Sequence, residues 1–203
     1  MIEAQRASTR PRTFRAWHQG PPGYPLLSVV DPPRGPGRYH RTGGRPTWYG
    51  SSTRRGAWAE LFRHFSADGV SPFEVRRRIG RADFTIVALD LTQPRLQRVL
   101  GVTPEELVSD DLSTCQALAE LAAEAGFDGI RGPSAAIAGE RTLAVFGPAV
   151  DASATDVVDG GPRTPPARLA AILPEVRLPP ETSGWMRPQY EALAARARRV
   201  PRH

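Results

Sequence analysis

The sequence lacks several features that mark other classes of protein. A single cysteine, Cys115, excludes an internal disulfide framework, and four scattered histidines give no ligand spacing for a zinc site. No apolar run approaches the roughly 20 residues of a membrane helix, and the polar segment 1–12 contains no apolar stretch of the kind found in a secretory signal. We therefore expect a cytoplasmic, metal-free protein without a membrane segment.

Lysine is absent altogether, so all 27 basic residues are arginines, and the net charge is +6. Two interpretations stay open. The codon bias of a high-GC genome would favour Arg, Ala, Gly and Pro, and the 21 prolines and 19 glycines agree with it. Alternatively, the arginines attract an anionic ligand, such as a dinucleotide, a nucleic acid or an acidic protein. Direct nucleic-acid binding is not expected, because the sequence has no recognisable recognition helix, zinc finger or RNA-binding motif.

The distribution of apolar residues predicts one α+β domain over residues 13–150. Its clearest helix is 113–125, with Ser113 and Gln116 as a capping box and Cys115 on the apolar face, where we interpret the cysteine as a core residue. A second helix begins near Arg55. The predicted strands are 13–18, 47–49, 73–80, 82–91, 127–135 and 141–148.

Four segments are predicted to lie outside this regular structure or at its edge. Residues 1–12 are expected to be loose, and the six prolines between Gly20 and Gly37 predict a long loop. Residues 151–184 are rich in Pro, Gly, Asp and Thr and are predicted to form a linker with one or two helical turns near 167–173. Residues 185–203 are predicted to form a basic C-terminal helix and tail. The loop and this helix either meet a partner or cover the site in cis.

Three side chains with complementary chemistry are spaced eleven residues apart. Arg38 follows a glycine in a cationic turn, Tyr49 ends a short strand, and Glu60 lies in the following helix. A guanidinium can pair with two phosphate oxygens, an aromatic ring can stack, and a carboxylate can accept a hydrogen bond from a ribose hydroxyl. This trio predicts a site for a dinucleotide. Arg45 is an alternative to Arg38 as the phosphate-binding arginine, although Arg38 has the better spacing to Tyr49.

The same residues carry a resemblance to the RES domain, the toxin half of a class of bacterial toxin–antitoxin systems. Members of that family usually show an early aromatic-Arg pair, a Gly-Gly-Arg-aromatic-Asn turn, a strand that ends in Tyr before small hydroxyl residues, a helix with an inward Glu and a late Pro-Ser-Ala. The chain matches these motifs in order with Phe14-Arg15, Gly37-Arg38-Tyr39, Tyr49-Gly50-Ser51-Ser52, Glu60 and Pro133-Ser134-Ala135. It departs from the pattern at His40, where the family commonly has Asn.

The resemblance implies a fold similar to that of ADP-ribosyltransferases, with mixed or antiparallel sheets flanked by short helices. It also implies an enzyme that consumes NAD+. The nicotinamide–ribose bond would be cleaved, with inorganic phosphate as the acceptor, to give nicotinamide and ADP-ribose 1″-phosphate. Glu60 would stabilise the positive charge that develops on the ribose as nicotinamide leaves. An Xre-type helix-turn-helix antitoxin, as a separate chain, would be the partner.

The remaining candidate residues and functions are less sharply indicated. Ser134 could bind a phosphate, or it could simply cap a turn. Arg15 could give a second contact to the diphosphate, and Ser51 and Ser52 are further candidates for binding the dinucleotide. Water as the acceptor would make the protein an NAD glycohydrolase, and a protein side chain would make it an ADP-ribosyltransferase. The alternative from another class is a non-catalytic module that binds nucleic acid or a protein partner.

Overall fold

A computed structural model describes residues 2–67, 73 and 75–199. Its elements, in chain order, are α1 (Ile2–Ser8), β1 (Arg12–Gly20), β2 (Thr47–Ser51), α2 (Arg54–Ala67), β3 (Arg77–Ile86), β4 (Ala88–Asp90), α3 (Pro94–Leu100), α4 (Pro104–Val108), α5 (Ser113–Glu124), β5 (Gly129–Pro133), β6 (Arg141–Phe146), α6 (Gly147–Ser153), β7 (Ala154–Arg163), a 3₁₀ segment (Ala167–Glu175) and α7 (Pro180–Arg199).

The strands form one mixed sheet in the order β4-β5-β6-β2-β1-β3-β7, in which only β4 and β5 run parallel. The predicted α+β class is thereby confirmed. β1 pairs with β3 along its whole length, from Arg12 to Gly20, but it pairs with β2 only where Trp17 lies opposite Ser51. The sheet is therefore split near its middle, between β1 and β2.

Helices cover the sheet around three apolar clusters. Helices α3, α4 and α5 pack against β4 and β5 around buried Leu89, Leu107 and Ile130. Helix α2, the 3₁₀ segment and α7 share a second cluster that includes Phe62 and Tyr190. The third cluster contains Trp48 and Phe84, whose ring centroids are 4.7 Å apart, and segments of the 20–37 loop pack against it.

The linker predicted at 151–184 is wrong, although the helical turns predicted near 167–173 are present in the 3₁₀ segment. Residues Ala154–Arg163 form β7, the edge strand that pairs with β3, and the C-terminal segments pack on α2. The sequence of β7 gave no sign of a strand, because Asp, Gly and Pro are poor strand formers. An exposed edge strand also needs no alternation of apolar residues. Hydrogen bonds to β3 stabilise it instead.

Other boundaries also differ from the prediction. Residues 2–8 form α1 rather than a loose segment, and the Arg6 side chain donates to the carbonyl of Gly126. The break between two strands predicted near 81 lies at Val87 instead. Strand β3 continues through Arg81, where it stays paired with β7, and the pairing has a bulge on each side of this residue. Of the predicted strand 73–80, only residues from Arg77 on are extended, and 74 lies outside the described residues.

We expect the contact between α7 and α2 to contribute measurably to stability. The Tyr190 hydroxyl, which is fully buried, donates to the carbonyl of Phe62 at 2.7 Å. Tyr190→Phe should lower the free energy of unfolding by about 1 kcal/mol in a urea titration. Tyr24→Phe, at a side chain that is 60% exposed, should change it by less than about 0.5 kcal/mol. Equal effects of the two substitutions would contradict this packing.

Candidate active site

A cavity of about 560 Å³ opens where the sheet is split. One wall is formed by β1 and β2, a second by the cavity-facing side of α2, and a third by the turn at 36–40. Pro179 and Glu181, at the start of α7, also line it. Its volume lies within the range of small-molecule and cofactor sites. Of the predicted residues, the cavity wall includes Arg38, Tyr49, Ser51 and Glu60.

Arg38 is held in the cavity wall by a tight turn. Gly37 and His40 bridge each other across this turn, and a side chain at Gly37 would collide with the His40 ring. Gln116 donates to both carbonyls of the bridge at 3.0 Å. Gln116 therefore holds this turn from α5. The capping box predicted for Ser113 and Gln116 is not formed, because the N-cap residue of α5 is Leu112, which makes no side-chain capping hydrogen bond.

The guanidinium of Arg38 is anchored to backbone oxygens. It donates to the carbonyls of Leu107 and Ser109 at 3.2 and 2.8 Å, and no carboxylate among the described residues pairs with it. Its positive charge is thus positioned without being neutralised. Arg45 lies elsewhere, 5.7 Å over the ring of Phe146, and does not line the cavity. Of these two arginines, only Arg38 lines the cavity.

Tyr49 presents its ring to the cavity, while its hydroxyl is engaged within the protein. The hydroxyl accepts from the backbone N–H of Tyr39 at 2.9 Å and lies 2.8 Å from Nδ1 of His40. Because Nε2 of His40 lies 3.1 Å from the carbonyl of Gly35, the network is satisfied when Nε2 carries the proton and Tyr49 donates to Nδ1. Burial raises the pKa of Tyr49 well above its ordinary value, so the phenol stays neutral.

Glu60 is oriented by Ser134. The serine hydroxyl donates to Oε1 of Glu60 at 2.9 Å and accepts from the N–H groups of Ala136 and Ile137. Ser134 is only 1% exposed, so its single proton is committed to the carboxylate. The Ser134 hydroxyl is therefore engaged by Glu60 and by the backbone of its own turn.

Arg15 and Ser52, which were predicted to bind the dinucleotide, lie outside this cavity, and neither Ser134 nor Arg45 lines it. Arg15 forms a bidentate pair with Asp83, with both nitrogen–oxygen distances at 2.9 Å. Ser52 donates to Glu140 at 2.6 Å. Arg15 and Ser52 both line a separate pocket of about 230 Å³. Arg15 lies near the start of β1 and Ser52 follows the end of β2, so their side chains meet at a separate pocket although both belong to the sequence motif.

The cavity also contains residues that the sequence analysis missed, among them Trp17, His18, Arg63 and Asp110. His18 donates from Nδ1 to the carbonyl of Tyr49 at 2.6 Å and so connects the two strands beside the split. Burial lowers the pKa of His18 to about 4, against the raising effect of that hydrogen bond. Arg63 lies one turn after Glu60 and pairs with Asp110. No sequence motif marked these residues, because they meet only in the folded chain.

The described residues contain neither a candidate metal cluster nor a helix suited to a membrane. Within the described ranges, no group of three or more His, Cys, Asp or Glu side chains is placed to hold a metal ion. No helix in the same part of the chain is both long and apolar enough to cross a bilayer.

The protein is an α+β domain whose mixed sheet is split beside a cavity. An arginine, a tyrosine and a glutamate line this cavity, and a buried serine orients the glutamate. The cavity is suited to an anionic ligand the size of a nucleotide. Comparison with known families identifies the domain. The model of the RES domain matches residues 12–169, and the chain belongs to this family. The predicted resemblance is confirmed.

Two relatives extend this comparison. The chain is 50% identical over 180 residues to a Mycobacterium tuberculosis protein named as a probable NAD(+) phosphorylase, and the match covers 86% of this chain and 84% of that one. The fold is similar to a chain in the crystal structure of the M. tuberculosis MbcT–MbcA toxin–antitoxin complex. That similarity has a TM-score of 0.65 and 20% identity, and it covers 96% of this chain and 97% of that chain.

The lowered pKa of His18 predicts a loss of stability in acid. Its pKa is about 4 in the folded protein and about 6.5 when unfolded, so between these values the unfolded chain binds more protons. The free energy of unfolding should therefore fall as the pH is lowered from about 6.5 to about 4. His18→Asn should show a shallower fall in urea titrations over this window, since the other titrating groups are common to both proteins. Parallel curves would contradict the neutral, buried state of His18.

Proposed function

We propose that the protein is an NAD+ phosphorylase, which cleaves the nicotinamide–ribose bond of NAD+ with inorganic phosphate as the acceptor. The observation that carries the proposal is the presence of Arg38, Tyr49 and Glu60 in the wall of one cavity. Membership of the RES family and the name of the relative that is 50% identical support the same activity. The products would be nicotinamide and ADP-ribose 1″-phosphate.

Binding of the dinucleotide is assigned to Arg38 and Tyr49. A guanidinium anchored to two carbonyls and unpaired with any carboxylate in the described chain is suited to the diphosphate, which it can contact through two parallel hydrogen bonds. The Tyr49 hydroxyl is already occupied by Tyr39 and His40, so we assign to Tyr49 stacking through its ring. Ser51 lines the same cavity and is assigned to the dinucleotide as well.

Catalysis is assigned to Glu60. As the bond between C1″ and the nicotinamide nitrogen breaks, its electron pair leaves with nicotinamide and positive charge develops on the ribose. A carboxylate fixed beside the ribose stabilises that charge, and it gains more in the transition state than in the ground state. A phosphate oxygen then forms the new bond to C1″. Ser134 holds the carboxylate in place, which removes the cost of reorienting it during the reaction.

The partner is proposed to be an antitoxin of the Xre type, supplied as a separate chain. The likeness in fold to a chain of the MbcT–MbcA toxin–antitoxin complex supports this assignment. Depletion of NAD+ in the cytoplasm would be the effect that such a partner prevents. If water or a protein side chain were the acceptor, the same residues would bind NAD+ and assist the departure of nicotinamide. The identity of the acceptor therefore has to be tested directly.

The phosphorylase activity is tested by incubating the protein with NAD+, with and without inorganic phosphate, and by following nicotinamide and ADP-ribose 1″-phosphate by mass. We expect release that requires phosphate, and a fall in kcat on the order of a hundredfold in Glu60→Gln. Glu124→Gln, at an exposed position on α5, should leave the rate unchanged. Release of nicotinamide without phosphate would contradict the phosphorylase, and full activity of Glu60→Gln would contradict the role of Glu60.

The phosphate-binding arginine is tested by comparing two conservative variants. Arg38→Lys keeps the charge but loses the fork that pairs with two phosphate oxygens, and it should raise KM for NAD+ about tenfold with a smaller change in kcat. Arg45→Lys, outside the cavity, should leave both parameters unchanged. The reverse result would assign the diphosphate to Arg45 and contradict the proposed binding site.

A further inference from the structure

Four arginines lie on neighbouring elements beside the cavity. They are Arg54 at the start of α2, Arg77 in β3, Arg163 at the end of β7 and Arg168 in the 3₁₀ segment. None of them has an acidic partner among the described residues. We call this group the arginine cluster.

The pairing of β3 with β7 brings two members of the arginine cluster together. Arg77 and Arg163 lie directly opposite each other in the antiparallel ladder. The guanidinium of Arg77 lies 5.7 Å over the ring of Phe65, and that of Arg163 donates to the carbonyl of Gly160. Further along β3 the pattern is different, because Arg78 pairs with Asp159 and Arg81 pairs with Asp156 across the same two strands. Among the described residues, β3 and β7 thus neutralise Arg78 and Arg81 and leave Arg77 and Arg163 without an acidic partner.

Arg54 adds a partly buried cation to the same place. Its guanidinium lies 5.8 Å over the ring of Trp17, and its Nε is buried without a hydrogen-bond partner in the described structure. Burial lowers the pKa of Arg54, and the positive charges of Arg163 and Arg168 lower it further. A buried donor without a partner and mutual repulsion both cost free energy, and a bound anion would recover both.

The arginine cluster adjoins the cavity through two residues of its wall. Trp17 lines the cavity and stacks with Arg54, while Gln19 lines it and accepts from Nε of Arg77 at 2.7 Å. Arg54 lies one helical turn before Ala57, which also faces the cavity, and about 9 Å along the axis of α2 from Glu60. An anion at the cluster is therefore next to the active site but outside bonding distance of a ribose beside Glu60.

We propose that the arginine cluster is a docking subsite for inorganic phosphate, from which the acceptor enters the cavity toward Glu60. This assignment rests on the proposed function, because it provides a place for the second substrate of the phosphorylase. The diphosphate of NAD+ already has Arg38, which belongs to a different wall of the cavity. Several guanidinium groups around one compact anion match the geometry of phosphate and raise its local concentration.

The test compares Arg54→Gln and Arg168→Gln with Arg81→Gln, which breaks a neutralised pair on the same sheet. Calorimetric titration with inorganic phosphate in the absence of NAD+ measures docking independently of catalysis. We expect each cluster variant to weaken phosphate binding about tenfold and to raise KM for phosphate by a similar factor. KM for NAD+ should not change, and Arg81→Gln should behave as the wild-type protein. Circular dichroism would verify that the variants are folded.

Two outcomes would overturn the subsite. If phosphate binding is the same in the wild-type protein and in both cluster variants, the arginine cluster does not bind the acceptor, even where phosphate-dependent cleavage of NAD+ itself is intact. If the variants instead raise KM for NAD+ and leave KM for phosphate unchanged, the cluster binds the dinucleotide. Failure of the phosphorylase itself would be recognised separately, as absence of nicotinamide release from the wild-type protein.

Discussion

The hydrogen bond from Ser134 to Glu60 is the interaction on which the candidate site depends. It joins the turn that follows β5 to the middle of α2, and it fixes a carboxylate that would otherwise have several rotamers. Two backbone N–H groups hold the serine hydroxyl in turn, so the orientation of Glu60 is set by main-chain geometry. A preorganised carboxylate of this kind is what stabilisation of a developing positive charge requires.

The C-terminal part of the chain supports both ends of this hydrogen bond. Val176 bridges Ile137, and the N–H of Arg177 donates to the carbonyl of Ala136, which braces the turn that contains Ser134. Arg63, one turn after Glu60, donates to the carbonyl of Arg177. Together with the Tyr190 contact, these bonds attach α2 and the Ser134 turn to the same segment. The site therefore cannot be separated from residues that follow 150.

Much of the site could be predicted from the sequence, because it rests on local order. Arg38, Tyr49 and Glu60 lie on a turn, a strand and a helix that follow one another along the chain. Their spacing in the sequence therefore predicted that they would lie close together. Long-range geometry could not be read in this way. The strand β7 is stabilised by hydrogen bonds to β3 rather than by an apolar pattern, and Gln116 binds a turn that precedes it by more than 70 residues. Arg15 matched the family motif, but it pairs with Asp83 and lines a separate pocket.

The most direct test of this account is the steady-state kinetics of Ser134→Ala with NAD+ at saturating phosphate. Loss of a hydrogen bond to a charged group is worth about 1.5–3 kcal/mol, so kcat should fall by about tenfold to a hundredfold while KM for NAD+ stays the same. Thermal unfolding of the same variant would establish that the fold is retained at the assay temperature. A folded Ser134→Ala protein with the kcat of the wild type would contradict the claim that Ser134 positions Glu60 for catalysis.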